Sequence, residues 1–288
     1  VSETTETLAR AVALIRQRLD AHTGGVLVRP DVLMVLGSGL GDWAETLEDA
    51  LVIPYADVPG MGASTVIGHR GQWRIGRLGS RWVMAMQGRM HGYEGWSPQQ
   101  VVQGVRMARG LGVRTLVVTN AAGSLDPSLG PGTLMLIRDH INLTGQNPLV
   151  GHNDAAMGPR FPDMSDVYTA RLRSLAREVA DGRGIPLAEG VYVGVLGPTY
   201  ETAAEVRAYG RLGGQAVGMS TVWEVIAARH AGMQVLGVSC LTNLGTGLGD
   251  APLDHADVEH VARQARSAFS RLLDGVVSHP GLPDPGAP

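Results

Sequence analysis

The chain has 288 residues, a formal charge of −3 and 40 glycines, and all 24 of its Lys+Arg residues are Arg. The missing lysine excludes a Schiff-base lysine, a Walker A loop and a kinase-type nucleotide clamp, and the slight negative charge gives no bulk attraction to nucleic acid or anionic membrane. Cys240 stands alone, which excludes an internal disulfide and a multi-cysteine zinc cage. With no membrane-length apolar run and no basic-then-apolar leader, the chain reads as a cytoplasmic globular protein.

Leu8, Val12, Ile15 and Leu19 share one face of a helix over residues 7–22. Asp31–Leu36 reads as a buried strand running into Gly37-Ser38-Gly39-Leu40-Gly41. Trp73–Leu78 and Arg81–Gln87 flank Gly79-Ser80 as a hairpin. Ser97 and Pro98 cap a helix that runs to Leu111 and stops at Gly112. Val113–Thr119 and Thr133–Asp139 follow as strands, residues 145–165 as a long loop, 166–182 as a helix and Gly190–Leu196 as a strand. Thr202-x-x-Glu205 and Thr221-x-x-Glu224 read as capping boxes opening helices to Leu212 and Ala231. Met233–Leu241 is a strand, Gly245, Gly247 and Gly249 make a mobile loop, and Asp254 caps a last helix to Val277. Alternating strands and helices with no internal linker predict one α/β domain over 1–277, with a disordered Pro/Gly-rich tail over 278–288.

In such sheets ligands bind beyond the carboxyl ends of strands. The Gly37–Gly41 run is not a dinucleotide fingerprint, since Asp42 stands where a third glycine belongs; it is either an anion nest with Ser38 or a plain turn. Arg89 and His91 can both donate to a phosphate, or be a surface arginine and a buried histidine; His69 carries the same two readings. Glu201 is a cap or a binding carboxylate, Asn243 a turn residue or an amide donor. His255, where a helix dipole disfavours a cation, is a neutral contact or incidental. Nucleophile-elbow and zinc-helix motifs are absent, nothing supplies a metal cage, and the Asn142-Leu143-Thr144 sequon reads as a chance match.

Taken together, Gly37–Gly41, Gly68-His69-Arg70-Gly71, the run Gln87 to Gly95, Asn120–Gly123, Gly197–Thr202, Val217–Thr221 and Thr242-Asn243 resemble the purine nucleoside phosphorylases, in the trimeric, low-molecular-mass branch. The likeness spans about residues 30–275. It implies a central mixed β-sheet curling into a partial barrel flanked by helices. It also implies phosphorolysis of 6-oxopurine nucleosides (inosine, guanosine and their deoxy forms) to free base and α-(deoxy)ribose-1-phosphate in purine salvage, without cofactor and with phosphate as co-substrate.

Carried over by position, Ser38, His69, Arg89, His91, Ala121 and Ser220 resemble the phosphate site. Tyr93 and Met219 resemble the ribose contacts, and His255, with His260 as its competitor, the 5′-hydroxyl contact. Glu201 and Asn243 resemble the purine-reading pair, with Tyr200 against the base where the family commonly has Phe. Asn243, Glu201 and His91 are the expected catalytic groups. Phe161 resembles an aromatic that reaches a neighbouring subunit's site in a homotrimer. Trp223 stands where the family commonly has Pro, which is expected to alter packing behind the phosphate site. Two alternatives remain: a 5′-methylthioadenosine phosphorylase, whose pattern tends to have Asp at position 243, and a nucleoside-binding protein without catalysis, which would need no phosphate set.

Overall fold

The computed structural model describes residues 3–37, 39–62, 65, 69–249 and 255–284. Among them nine strands form one mixed sheet: β1 (Val32–Leu36), β2 (Glu48–Pro54), β3 (Gln72–Leu78), β4 (Arg81–Gln87), β5 (Thr115–Ser124), β6 (Leu134–Asn142), β7 (Leu187–Gly194), β8 (Ala216–Gly218) and β9 (Gln234–Leu244). Their order is β2-β3-β4-β1-β5-β8-β7-β6-β9, and β9 returns to pair with β5. Five strands therefore close into a small barrel, while β1 to β4 run on from it as an open sheet. This is the curled mixed sheet that the resemblance implied.

Among the described residues seven α-helices flank it: α1 (Glu3–His22), α2 (Pro98–Val101), α3 (Gln103–Gly110), α4 (Ala170–Gly182), α5 (Ala203–Arg211), α6 (Val222–His230) and α7 (His255–Ser278). None among the described residues is long and apolar enough to cross a membrane. Strand β1 shows why the sheet is central. It pairs in parallel with β4 and β5, and all five of its side chains are buried. Leu33 and Val35 join the core under α1, α3 and α6, whereas Val32, Met34 and Leu36 join the core under α4 and α7. Two covered faces explain an unbroken apolar run in place of alternation.

Several elements depart from the sequence reading. The helix after Ser97 is capped as expected, with Gln100 N donating to Ser97 Oγ at 3.3 Å, but it breaks at the buried Val102, whose ψ of 2° leaves the helical well. The helix expected from 166 starts at Ala170, because Thr169 N donates to Val235 O at 2.8 Å and Thr169 Oγ1 accepts from Val235 N at 3.0 Å. Strands β2 and β8 were not anticipated: β2 carries a register shift between Glu48 and Leu51, and β8 has three residues, too few for a period. The tail is not free throughout. Leu282 is buried, its carbonyl accepts from Arg81 at 3.1 Å, and Gly281 O accepts from Arg171 at 3.0 Å. The expected cap Asp254 and residues 285–288 lie outside the described residues.

One packing feature makes stability depend on pH. His140 Nδ1 lies 3.1 Å from the Tyr168 hydroxyl. Burial lowers its pKa to about 4, with only a partial counter-pull from Asp139. A folded-state pKa below the unfolded value adds stability that is complete above the unfolded pKa and lost as pH falls toward the folded one. From the ordinary histidine value of 6.5 down to about 4, the full loss is about 3 kcal/mol. In His140→Asn, the fall in urea-unfolding free energy between pH 7 and pH 4.5 should shrink by about 2 kcal/mol. An unchanged fall would refute the assignment.

Candidate active site

Where β1, β4 and β9 end beside β5, a cavity of about 510 Å³ opens. This lies in the range of small-molecule sites. Its walls include Arg89, His91, Tyr93, Ala121, Tyr200, Glu201, Met219, Ser220 and Asn243, nine of the expected site residues, drawn from segments up to 154 positions apart.

Arg89 follows β4 and is 1% exposed. Its Nη1 donates to Glu224 Oε2 at 2.8 Å and to Thr221 Oγ1 at 3.3 Å, and its Nη2 donates to the Thr119 carbonyl. Of the five guanidinium N–H groups, these contacts leave two for a ligand. Thr221 is held at φ 75° and caps no helix with its side chain, so the expected capping box is not formed. Its hydroxyl instead accepts from Arg89 and from Asn120 Nδ2 at 2.9 Å, and it lies 3.0 Å from Ser220 Oγ. With both lone pairs engaged, Thr221 must donate to Ser220, which frees the Ser220 proton for the cavity.

His91 is fixed by Glu94, whose Oε2 lies 3.0 Å from Nδ1 and accepts from the His91 backbone N–H at 2.8 Å. The other Glu94 oxygen accepts from Thr65 N at 2.6 Å and Thr65 Oγ1 at 2.8 Å. Burial pushes the Glu94 carboxyl up, but these donors outweigh it and bring it down to about 2. A carboxylate accepting Nδ1–H leaves Nε2 of His91 for a ligand.

The His69 ring stacks on His91 at 5.5 Å, with Nδ1 3.1 Å from the Arg89 carbonyl. Burial and the neighbouring His91 and Arg89 lower its pKa to about 4, so it is neutral near pH 7. Tyr93 also stacks on His91, at 4.7 Å, and burial together with Glu94 pushes its hydroxyl up to about 12. It therefore remains a donor. Met219 is held by a close approach: a Cβ on Gly197 (φ 70°) would lie 2.2 Å from its sulfur, so that turn admits only glycine.

Glu201 and Asn243 line the same cavity. The cap of α5 is made by Thr202 and Glu205, with Thr202 N donating to Glu205 Oε2 at 2.7 Å and Glu205 N donating to Thr202 Oγ1 at 3.2 Å. Glu201 is thereby released from the capping reading, and burial raises its carboxyl pKa. Asn243 lies inside β9, which removes the turn reading. Its Oδ1 accepts from Thr242 Oγ1 at 3.0 Å, and one amide hydrogen goes to Leu244 O at 3.0 Å, leaving the second free.

Three expected residues stand apart. Ser38 lies outside the described residues, as does the side chain of His255, whose backbone opens α7. Its competitor His260 pairs with Gln264 at 2.9 Å on the exposed side of α7. Phe161 is 86% exposed on the loop after β6, with the Arg160 guanidinium 5.7 Å over its ring, and does not line this cavity.

Residues 31–278 match the Phosphorylase superfamily. Over 248 residues, 86% of this chain and 90% of the relative, the sequence is 51% identical to purine nucleoside phosphorylase 1 of Geobacillus stearothermophilus. The chain belongs to the purine nucleoside phosphorylases. The fold agrees: a schistosome purine nucleoside phosphorylase solved with hypoxanthine superposes with a TM-score of 0.88 at 37% identity, covering 96% of this chain and 97% of that one. A Schistosoma mansoni structure of the same enzyme with adenosine gives the same values.

Against this phosphorylase frame, sequence reasoning missed two carboxylates. Glu94 lies within the run Gln87 to Gly95, three residues from His91, a spacing that signals the contact between them. Glu224 looks like a capping-box residue from its neighbours alone; its pairing with Arg89, 135 positions away, has no local signal.

Proposed function

We infer that the chain cleaves the glycosidic bond of purine nucleosides with inorganic phosphate, releasing the base and α-(deoxy)ribose-1-phosphate. One observation carries the reading: a single cavity holds phosphate-type donors (Arg89, His91, Ser220) and a purine-type pair (Glu201, Asn243), with Tyr93 and Met219 also in its walls. Phosphate is already a nucleophile and needs positioning rather than a covalent intermediate. The free N–H groups of Arg89, the Ser220 hydroxyl and the Ala121 backbone hold it, joined by Ser38, while His91 Nε2 faces a phosphate oxygen or its proton. His69 supports this side through the His91 ring. The ribose gains oxocarbenium character, which the phosphate charge stabilises. The leaving purine gains negative charge, which the free Asn243 amide hydrogen meets at N7.

Glu201, when ionised, accepts the N1–H of a 6-oxopurine and faces a lone pair in a 6-aminopurine, so turnover favours inosine and guanosine. The adenosine-bound schistosome relative makes turnover, rather than occupancy, the discriminating quantity. Tyr200 covers the base and His255 reaches the 5′-hydroxyl. The reading needs no cofactor, and it places the protein in the cytoplasm as a salvage enzyme and a homotrimer.

The test is hypoxanthine release from inosine with and without phosphate. Release that requires phosphate supports the reading. Phosphate-independent release makes the protein a hydrolase, and no release makes it a binder. Exposed Phe161 supports a contact across subunits, so Phe161→Ala should raise the nucleoside KM roughly tenfold in a particle that still sediments as a trimer. A wild-type KM would remove the contact.

A further inference from the structure

Trp223 does not line the substrate cavity, yet two segments beside the site rest on it. Its ring lies under the backbone of Gly92, where a Cβ would come within 2.5 Å of Cη2, 2.9 Å of Cζ3 and 2.7 Å of Leu196 Cδ1. Gly92 is absent from the left-handed glycines, so the demand for glycine there comes from this close approach and not from backbone conformation. On either side of Gly92 stand His91 and Tyr93, whose rings stack at 4.7 Å, and the turn is closed by Glu94 N donating to His91 O at 3.2 Å. The indole edge therefore sets the height of the turn that presents both rings.

The indole N–H points elsewhere. It donates to Thr144 Oγ1 at 3.0 Å, two residues after β6 ends. The same hydroxyl lies 2.7 Å from Asn142 Oδ1 and 3.0 Å from Gln146 O, so the root of the loop that carries Phe161 is tied to the indole. A gap of about 20 Å³ borders the ring together with His91, Met219 and Ser220. That is room for no more than a water. The neighbouring Glu224 holds Arg89.

We propose that Trp223 is a positioning residue for phosphorolysis: the Gly92 contact fixes the His91–Tyr93 turn, and the Thr144 bond fixes the loop reaching the neighbouring site. The inference rests on the phosphorolysis reading. Phosphate-dependent hypoxanthine release by the wild-type protein tests that reading separately, before any variant is made.

Three variants then test the inference, each checked for a retained circular-dichroism spectrum and trimer mass. Gly92→Ala drives a methyl into the ring and should raise the phosphate KM and lower kcat/KM about tenfold to a hundredfold, the scale set by displacing groups by around 1 Å. Adding Trp223→Leu removes Cη2, and the Gly92→Ala/Trp223→Leu pair should recover part of that loss; plain damage to the fold would instead accumulate. Thr144→Val keeps the shape and deletes the acceptor; it should raise the nucleoside KM several-fold and leave the phosphate KM unchanged. Unchanged constants in Gly92→Ala, no recovery in the pair, or an unchanged nucleoside KM in Thr144→Val would each overturn the proposal.

Discussion

Glu224→Ala is expected to destabilise the fold by about 3–5 kcal/mol, because it strips the partner from a buried cation. Arg89 and Glu224 are each 1% exposed, and their charged groups meet at 2.8 Å. The guanidinium would keep only the Thr119 carbonyl and the Thr221 hydroxyl, both neutral, around a charge cut off from water. Glu224→Gln retains an oxygen for Arg89 but brings an amide to the place of Glu224 Oε1, which has no hydrogen-bond partner, so a buried donor is left unpaired at a cost of about 1–3 kcal/mol.

Urea unfolding measures both losses. A loss below about 1 kcal/mol for the alanine variant would show that the pair is not what holds Arg89. Replacing both residues together, Arg89→Met with Glu224→Leu, should restore much of the stability while abolishing phosphate binding. Phosphate itself should protect Glu224→Ala against unfolding more than it protects the wild type, since it supplies the missing anion.

Asn243→Ala should lower kcat for inosine by about 10²–10³-fold with little change in KM, the signature of a donor that matters chiefly in the transition state. The geometry sets this expectation. Thr242 and Leu244 fix the amide plane, and one hydrogen is left over to meet the charge that develops on the leaving purine. Asn243→Asp presents a carboxylate to the N7 lone pair unless it takes up a proton. Protonated, it donates to N7 and accepts from a 6-amino group. Inosine turnover should fall, and the ratio of adenosine to inosine kcat/KM should rise. Equal losses for both substrates would refute the account of base reading.

Much of the site was legible because its residues sit in short runs at strand ends. Arg89, His91 and Tyr93 share one six-residue stretch with Glu94, and Thr242 precedes Asn243 directly. Where the local reading named competing roles, the fold chose between them. Glu201 is not the cap because Thr202 and Glu205 close that box. Thr221 stands at the N-cap of α6 but makes no side-chain cap, because its hydroxyl is taken by Arg89 and Asn120.

By itself the sequence determined what nearest neighbours along the chain decide: the amphipathic face of α1, the Ser97 and Thr202 caps, the β3–β4 hairpin, and the absence of any lysine to hold an anion. These depend on turns and on contacts three or four residues apart, whose energies are written in adjacent side chains. Only the tertiary structure decided that β9 returns to β5, that Val235 delays α4, that Arg81 holds the tail, and that Glu224 neutralises Arg89. Those pairings join residues 66 to 201 positions apart. Their energy comes from desolvating two groups together, and neither segment alone carries a trace of the other.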